Sequence, residues 1–584
     1  MTIRTINTDV LVIGAGPTGL TASTILASDG VDAITITRYP GTAHTPRAHI
    51  TNKRTMEVFR DLGIEERIHE VGHPLMRLHN NLFTTSLSGL EIGRYKSYGA
   101  SAERLSDYAA ASPSEAINCP QHVMEPVLLA AARERGADIR FSHELIEIRQ
   151  DQDVVYARIL DRDSAEEYEI RARYAIGADG ARSRVAEQLG FEFEGQAGLK
   201  GMANAWLDVD LTSYVAHRPG VLYWTAEPGR FDSSFGTASW VNVSPWNEWS
   251  LLFPWDEEGL PSEEEVLDRA RRSIGSAATV PEIKVKAITK WHVNNVVAKE
   301  YQKGRIFLAG DAAHRHPPTG GLGTNTSVQD AFNLCWKLAW VLSDKAGQDL
   351  LASYNAERQP VGAQVVARAI QSWHNMSSLV EALGLRPGQT AEEGWAELNE
   401  LFENSPTGVR RRDLLKKAIA TQKYRSNALG VELGQRYTSE AIVDQGGEFP
   451  GSTRDPELYY QATTHPGAHL PHAWVEVNQT KTSTLDLVGE NRFSLIVGTG
   501  GQPWAEAATD VSAELGVDLV VHTVGLRCEV DDVTSDWEDV REITDQGALL
   551  VRPDRHIAWR SIDSVDNPAE ELRSALRQVL ARNS

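Results

Sequence analysis

Three glycine-containing segments hold the residues whose types and spacing could bind a dinucleotide. The first is Gly14-Ala15-Gly16-Pro17-Thr18-Gly19, the second is Gly177-Ala178-Asp179-Gly180, and the third begins at Gly310-Asp311. Glycines between a strand and a helix bring bare backbone N–H groups and the positive end of the helix to a pyrophosphate. We therefore expect Gly14, Gly16 and Gly19 to bind a phosphate-containing cofactor.

Polar side chains near these segments could complete the site. Asp311 follows the apolar run 305–309, so its carboxylate would lie at the carboxyl edge of a parallel sheet and accept hydrogen bonds from sugar-type hydroxyls. Arg47 could bind a pyrophosphate with two parallel hydrogen bonds. The second strand ends in Thr37-Arg38 instead of the acidic residue typical of NAD sites. We assign Thr37 and Arg38 to the cofactor, although the ribose contact stays open.

The segment after Asp311 is suited to approach a flat ring. Pro317-Pro318 stiffens the chain, and Gly320-Gly321-Leu322-Gly323 leaves the backbone bare at the start of a periodic helix. The positive end of that helix would favour negative charge on a reduced ring. We expect Pro318, Gly321, Leu322 and Gly323 to face the ring.

The elements that must position these segments can be predicted from residue patterns. A short apolar strand, a small-residue helix and a β-branched strand predict a βαβ unit within the first 37 residues. Apolar spacing predicts helices near 54–62, 123–134 and 324–342, whereas the aromatic and β-branched runs of 205–255 predict an antiparallel sheet. New strand patterns predict a separate C-terminal α/β domain from about residue 440.

Composition excludes several function classes. Asp plus Glu number 80 against 58 for Lys plus Arg, and the formal charge of -22 repels nucleic acid and anionic membranes. The three cysteines are far apart in sequence and form no C-x-x-C pair, which argues against zinc ribbons and dithiol chemistry. No signal-type apolar core or long apolar span is present. We expect a cytoplasmic protein without metal, membrane or nucleic-acid partners.

Together the three motifs resemble the FAD-binding elements of the class A flavoprotein aromatic hydroxylases. Segments 38–52 and 316–337 are similar to those of the phenol and 2,4-dichlorophenol hydroxylase branch, the chlorophenol monooxygenases, and the likeness covers essentially the whole chain. It implies an α/β fold with a Rossmann-like FAD domain of the glutathione-reductase and p-hydroxybenzoate-hydroxylase type. The implied divisions are 1–190 (FAD, with interleaved substrate-domain segments), 191–295 (substrate sheet), 296–435 (FAD and helices) and 440–584 (thioredoxin-like, without redox cysteines).

The resemblance also implies the chemistry. NADPH or NADH would reduce FAD, O₂ would add at the flavin C4a, and the hydroperoxide would hydroxylate a substituted phenol, chlorophenol or resorcinol ortho to its hydroxyl, giving a catechol-type product. Gln121 matches a position that bonds the ribityl chain, and Asp179 one that supports FAD and the nicotinamide path. Ser244 stands where relatives often have a basic residue associated with nicotinamide binding, so the coenzyme stays open.

Candidate substrate contacts follow from the same resemblance. Removing the phenolic proton raises the electron density of the ring, so the site needs a group that can accept or share it, and His49 is the candidate. Asn118 is expected near it, with Pro318 and Thr319 lining the ring on the flavin side. Three aromatic residues are weaker candidates for the pocket wall, each as readily explained as core: Tyr223, Trp240 and Trp246.

Other functions stay open. A flavin-dependent halogenase would need a W-x-W-x-I-P signature, which Trp246-Asn247-Glu248-Trp249-Ser250-Leu251 does not supply. A tailoring hydroxylase would act on a polycyclic aromatic natural product, and a non-catalytic protein would keep FAD for structure or sensing. The sequence also favours a homodimer or homotetramer. The native phenol and the fate of any ring substituent are left open.

Overall fold

The computed structural model describes residues 4–231, 236–275, 280–444, 446 and 449–582. Within these ranges the strands are β1 Arg4–Ile13, β2 Ala33–Ile36, β3 Ile50–Thr51, β4 His73–Pro74, β5 Asn80–Thr84, β6 Glu91–Lys96, β7 Ile117–Asn118, β8 Asp138–Arg140, β9 His143–Gln150, β10 Val155–Asp161, β11 Glu167–Gly177, β12 Phe193–Asp208, β13 Gly220–Thr225, β14 Ala238–Ser244, β15 Glu248–Pro254, β16 Lys284–Ala298, β17 Gln302–Lys303, β18 Ile306–Leu308, β19 His314–Arg315, β20 Trp474–Val477, β21 Thr480–Ser483, β22 Phe493–Val497, β23 Leu519–Thr523, β24 Val530–Asp531, β25 Ala548–Val551 and β26 Ile557–Ser561.

The α-helices of the same ranges are α1 Pro17–Ser28, α2 Lys53–Asp61, α3 Glu65–Val71, α4 Leu105–Ala111, α5 Gln121–Glu134, α6 Arg184–Gln188, α7 Thr212–Val215, α8 Glu263–Ile274, α9 Gly323–Leu342, α10 Ala352–His374, α11 Met376–Leu383, α12 Ala391–Glu400, α13 Pro406–Ser426, α14 Leu429–Leu433, α15 Gln502–Leu515 and α16 Pro568–Val579. None of these described helices is long and apolar enough to cross a membrane.

The first sheet has the parallel order that a nucleotide site needs. Its strands run β17-β18-β11-β1-β2-β8, with β1 parallel to both β11 and β2. The last four residues of β1 are buried, and α1 packs against α5 and α9. Burial on both faces explains why this segment is wholly apolar instead of alternating. The predicted βαβ unit is confirmed, and its glycine turn lies at the carboxyl end of β1.

The second sheet is predominantly antiparallel and is the predicted substrate sheet. Its order is β19-β16-β12-β15-β14-β13-β5-β6, so β5 and β6 join it from the 1–190 segment and β19 from 296–435. Successive residues face opposite sides of a strand. One face packs into a core with α8, and the other faces a large cavity. The interleaving agrees with the predicted organisation, while the domain boundaries themselves stay predictions.

The C-terminal region forms a four-stranded sheet of order β23-β22-β25-β26. Strands β22 and β23 are parallel and joined by α15, while β25 and β26 are antiparallel, which is the thioredoxin strand order. Cys528 is the single cysteine of this region in the sequence. The domain packs on α9, where the ring centroids of Trp340 and Phe493 lie 4.9 Å apart.

Candidate active site

A cavity of about 1540 Å³ lies between the parallel sheet and the substrate sheet. Ligand pockets usually measure about 300–1,000 Å³, so this cavity has room for an extended cofactor and a second molecule. The residues predicted from sequence that line it are Gly14, Gly16, Thr37, Arg38, Arg47, His49, Gln121, Asp179, Asp311, Pro318, Gly321 and Gly323. The structure therefore brings the three distant glycine segments to one place, although the contact of each residue with a ligand stays a prediction.

The glycine turn after β1 has the close approaches that exclude side chains. Gly14 has a φ of 116°, and a Cβ there would lie 2.1 Å from the carbonyl oxygen of Ala178. A Cβ at Gly19 would lie 1.8 Å from the carbonyl oxygen of Gly14. Gly19 does not line the cavity and packs α1 on the turn, while its contact with the cofactor stays a prediction.

Asp179 offers a free acceptor to the cavity. One carboxylate oxygen accepts hydrogen bonds from the backbone N–H groups of Arg184 at 2.7 Å and Val185 at 3.3 Å, at the start of α6. The other, Oδ1, is buried and has no partner among the described residues. Burial raises the pKa of this carboxyl, against the lowering effect of hydrogen bonds from the Ser183 side chain and from backbone N–H groups that include those of Val185 and Arg184. The unpaired oxygen fits a hydroxyl of a bound ligand.

Asp311 faces the open space of the cavity although protein atoms surround it. Burial raises its pKa, and the nearby positive charges of His314, Arg315 and Arg47 oppose that shift. Arg47 forms no ion pair among the described residues and lines the same cavity. The unpaired guanidinium of Arg47 and the carboxyl group of Asp311 together suit a ligand that carries both phosphate and hydroxyl groups.

Glu125 and Arg315 are among the charged residues that line the cavity, and the sequence analysis did not single them out. Glu125 accepts hydrogen bonds from the backbone N–H of Ala43 and from Nε2 of Gln121. Arg315 donates to the carbonyl of Ala181, and its guanidinium lies 4.8 Å from the centroid of the Phe193 ring. The i,i+4 spacing of Gln121 and Glu125 on α5 was a readable signal, because such residues share a helix face.

The loop before α9 turns through two glycines in the left-handed region. Gly320 has a φ of 86° and Gly321 a φ of 69°, and a Cβ at Gly321 would lie 2.7 Å from Cβ of Ile50. Thr319 and Leu322 do not line the cavity, and their contacts with substrate and cofactor stay predictions. The Thr319 hydroxyl donates to the carbonyl of Ala369 at 2.7 Å, and Leu322 is buried in an apolar cluster.

A buried ionic network fixes the loop that carries Asp311. Asp330 on α9 accepts from the backbone N–H of Gly310 at 3.0 Å, and its side chain bonds to Nε2 of His314 at 2.8 Å and to Nε of Arg358 at 2.9 Å. Burial would raise the pKa of this carboxyl, but the charges of Arg358 and His314 outweigh it and lower the pKa. The loop is thus positioned by the Asp330 carboxylate, which is bonded to three described partners without a ligand.

His49 lines the substrate side of the cavity. Burial and the charge of His122 lower its pKa to about 3, while a backbone hydrogen bond with Asn242 opposes the shift. Nδ1 is buried and has no hydrogen-bond partner among the described residues. In a neutral imidazole one ring nitrogen carries the proton and the other accepts, so Nδ1 accepts in the tautomer that is protonated on Nε2. In that tautomer, neutral His49 offers an acceptor that no described residue uses.

Asn118 lies behind His49 instead of beside a ligand. It does not line the cavity, and its Nδ2 donates to the carbonyl of Asn242 at 3.2 Å. The antiparallel pair of β3 and β7 sets Asn118 opposite Ile50, and the N–H of Cys119 donates to the His49 carbonyl at 2.7 Å. These contacts support the backbone around His49, and the catalytic role of Asn118 stays a prediction.

The three aromatic candidates belong to the core behind the pocket. The Tyr223 hydroxyl donates to the carbonyl of Arg218 at 2.8 Å, and Trp240 bonds to Ser273 on α8 at 3.0 Å. Trp246 packs against the apolar cluster of Ile50, Leu75, Leu78 and Val221, of which Ile50 and Val221 line the cavity. The cavity wall is formed instead by other residues of β13, β14 and β15: Val221, Leu222, Ser239, Val241 and Leu252. Sequence alone did not show which strand face was covered by α8.

Comparison with known proteins agrees with this geometry. Residues 7–369 match the FAD binding domain model, and residues 463–583 match the model of the aromatic-ring hydroxylase C-terminal domain. The chain belongs to the FAD-dependent aromatic-ring hydroxylases. This hydroxylase is 44% identical to 2,4-dichlorophenol 6-monooxygenase of Delftia acidovorans, over 99% of this chain and 98% of the relative.

Two other relatives extend the comparison. Phenol 2-monooxygenase of Pseudomonas sp. (strain EST1001) is 39% identical to the hydroxylase, with 98% of this chain and 92% of the relative covered. The crystal structure of the flavin-dependent monooxygenase PieE in complex with FAD and substrate superposes with a TM-score of 0.95 and 42% identity, over 99% of this chain and 100% of the other.

The residues present fit FAD. The backbone at Gly14 leaves no room for a Cβ, and among the described residues Oδ1 of Asp179 is buried without a partner and Arg47, which lines the cavity, forms no ion pair. Gly14 and Gly16 would hold the pyrophosphate with Arg47, Asp179 and Asp311 would take hydroxyls, and Gly321 and Gly323 would lie against the ring. When bound, FAD takes reducing equivalents from NAD(P)H and activates O₂ for transfer of one oxygen atom.

Proposed function

We propose that the hydroxylase acts on a phenol and places the new hydroxyl ortho to the existing one, giving a catechol-type product. The observation that carries the proposal is the unpaired Nδ1 of His49 in the cavity wall, on the side where the Gly320-Gly321 turn brings the backbone against Ile50. A phenol hydroxyl is the complementary donor. The activities named for the two curated relatives, at 44% and 39% identity, support the same substrate class.

The pKa of His49 decides how it acts. A base of pKa about 3 does not deprotonate a resting phenol, whose pKa is about 10. Nδ1 therefore accepts a hydrogen bond and orients the ring. As the ring is oxidised, its hydroxyl becomes strongly acidic, and Nδ1 would accept the proton that leaves it. Pro318 and Ile50 line this part of the cavity.

A tailoring hydroxylase for a polycyclic aromatic remains the second candidate. The cavity wall draws residues from seven neighbouring strands, β19, β16, β12, β15, β14, β13 and β5. Six interstrand spacings amount to about 29 Å, which is wide for a single ring even though FAD occupies part of that width. The family supports neither the halogenase nor the non-catalytic alternative.

Turnover by the purified yellow holoenzyme tests the proposal. Oxidation of NADH and NADPH, oxygen uptake and catechol-type product are measured with simple phenols, chlorophenols, resorcinols and phenolic polycycles. We expect a phenol to stimulate oxidation and to yield stoichiometric ortho-hydroxylated product. Stimulation by polycycles alone would favour the second candidate, and absence of product from every phenol would overturn the proposal.

The same assay addresses the coenzyme, because no basic residue stands at Ser244 and either NADPH or NADH fits the sequence. We further propose a cytoplasmic setting, which the spacing of the three cysteines supports. Assembly as a homodimer or homotetramer is a prediction that sedimentation of the holoenzyme checks.

A further inference from the structure

A second group of polar side chains lies in the cavity away from His49. We call it the Asn81 subsite, defined by Asn81, Tyr98 and Arg425, all of which line the cavity. Asn81 is only 4% exposed, yet its Nδ2 has no hydrogen-bond partner among the described residues. A buried amide donor without a partner costs about 1–3 kcal/mol in free energy, so a ligand that accepts from it recovers that cost.

The strand register fixes where this subsite lies relative to His49. Asn81 on β5 stands opposite Leu222 on β13, which stands opposite Val241 on β14. Paired residues share one face of a sheet, and all three line the cavity. His49 is bonded to the backbone of β14 at Asn242. Asn81 is therefore two strand spacings, about 10 Å, from the strand that holds His49.

The surface between the two polar groups is apolar. Leu222 and Val241 form the floor there, and Ile50 contributes from the side of the Gly321 turn. A benzene ring matches this strip, with its hydroxyl at His49. The separation exceeds the ring itself and leaves space for a ring substituent that reaches Asn81.

Arg425 adds positive charge to the subsite. Its charge acts on the hydroxyls of Tyr95 and Tyr98, and Tyr95 is the cross-strand neighbour of Asn81. Arg425 has no carboxylate partner among the residues that the structure describes. Burial raises the pKa of Tyr98, so its hydroxyl stays protonated. The subsite thus presents an amide N–H, a phenol O–H and a guanidinium, all of which can donate.

We propose that the Asn81 subsite binds a hydrogen-bond-accepting substituent on the phenol ring, such as a carbonyl or a carboxylate group. The proposal rests on the proposed function, since it places the hydroxyl of the same substrate at His49. It makes the preferred substrate a two-ended molecule, with a donor at one end, an apolar ring in the middle and an acceptor at the other end.

Three phenols test the proposal with the FAD-loaded enzyme. They are 4-hydroxyacetophenone, with a neutral acceptor, 4-hydroxybenzoate, with an anionic acceptor, and 4-isopropylphenol, which matches the first in shape but accepts no hydrogen bond. Dissociation constants come from the change in flavin absorbance, and kcat/KM comes from product formation. We expect at least one acceptor phenol to bind more tightly than 4-isopropylphenol.

Variants then assign the preference. Asn81→Leu should weaken binding of the acceptor phenols about 10-fold and Arg425→Met that of the carboxylate about 10- to 150-fold, with 4-isopropylphenol changed less than 2-fold. Asn80→Ala is the matched control, because Asn80 is on the same strand but donates to the carbonyl of Pro219 outside the cavity. It should shift all three phenols equally.

Equal affinity of wild type for the three phenols, or equal losses for all three in Asn81→Leu, would overturn the subsite. A different result would contradict the proposed function: phenols bind, but none gives hydroxylated product. Binding measured from flavin absorbance decides the subsite in that case too, because it does not depend on turnover.

Discussion

The loop that carries Asp311 and the wall that carries His49 are both buried, but their polar groups are treated in opposite ways. In the loop, Asp330 is bonded to Gly310, His314 and Arg358 at once. In the wall, Nδ1 of His49 and Nδ2 of Asn81 are left without partners. Buried polar groups are normally paired, so the Asp330 carboxylate is satisfied by the described protein alone, whereas the unpaired atoms of the wall would be satisfied by a ligand.

This difference separates residues that shape the site from residues that contact a ligand. Both carboxylate oxygens of Asp330 are already hydrogen-bonded within the protein. Asp330 therefore acts on the cofactor through the position of Gly310 and the following Asp311. His49 has a free acceptor and nothing in the protein that needs it. Substitutions in the loop should therefore reduce the stability of the fold, while substitutions in the wall should reduce binding or turnover and leave the fold intact.

Asp330→Ala tests the loop most strongly. It leaves the Arg358 guanidinium buried without its carboxylate, and breaking a buried pair in this way costs about 3–5 kcal/mol in free energy of unfolding. Urea denaturation of the holoenzyme measures the loss. Glu134→Gln is the control, because its ion pair with Arg67 is exposed and worth at most about 1 kcal/mol. A similar loss of unfolding free energy in Asp330→Ala and Glu134→Gln would contradict the role of Asp330 in fixing the loop.

Arg47→Met separates the cofactor contact from the fold. Arg47 has no carboxylate partner in the described chain, so its loss should not destabilise the apoprotein. Loss of a charged hydrogen bond, about 1.5–3 kcal/mol, should raise the FAD dissociation constant about 10- to 150-fold. Quenching of flavin fluorescence measures it. Arg67→Met removes an exposed arginine and should leave FAD affinity unchanged; an equal effect of both would remove Arg47 from the site.

The sequence predicted the parallel βαβ unit and the convergence of Gly14, Asp179 and Asp311, because glycine spacing and strand ends are local signals. It did not show which strand face of the substrate sheet is covered. Tyr223 was predicted in the pocket wall, but α8 packs on its face and Leu222 faces the cavity. Asn81 was missed because β5 lies far in sequence from β13, with which it pairs. Only the tertiary structure reveals that its amide is unpaired.

Acid titration tests the buried histidines. Burial lowers the pKa of His316 to about 4, from about 6.5 in an unfolded chain. The folded protein therefore binds fewer protons, and its stability falls as the pH drops below about 6.5, by up to about 1.4 kcal/mol per pH unit from this residue. Urea denaturation of wild type and His316→Gln between pH 7.5 and 5 measures the slope.

Comparison of wild type with His316→Gln separates the effect of His316 on stability from that of the buried acid Glu432. Burial raises the pKa of Glu432 to about 7, so its effect on stability has the opposite sign: stability is lost as the pH rises toward 7. The wild type should lose more stability than His316→Gln on acidification. Parallel curves would show that His316 is not held neutral.

Tyr223→Phe is the smallest test and sharpens the boundary of the wall. It removes the hydroxyl that donates to the Arg218 carbonyl behind the pocket, which should lower the free energy of unfolding by about 1 kcal/mol. KM for the phenol should stay within about 2-fold of wild type, since Tyr223 does not line the cavity. A KM change without loss of stability would return Tyr223 to the substrate site.

The central claim is that His49 holds and shares the proton of the phenol hydroxyl. The direct measurement is kcat/KM for ortho-hydroxylated product by His49→Phe, with FAD content and the urea transition recorded on the same sample. We predict full FAD, a near-normal transition and a loss of about 10²- to 10⁴-fold, the range of a missing proton acceptor. Product formation within a few fold of wild type, with FAD bound, would contradict the assignment of His49.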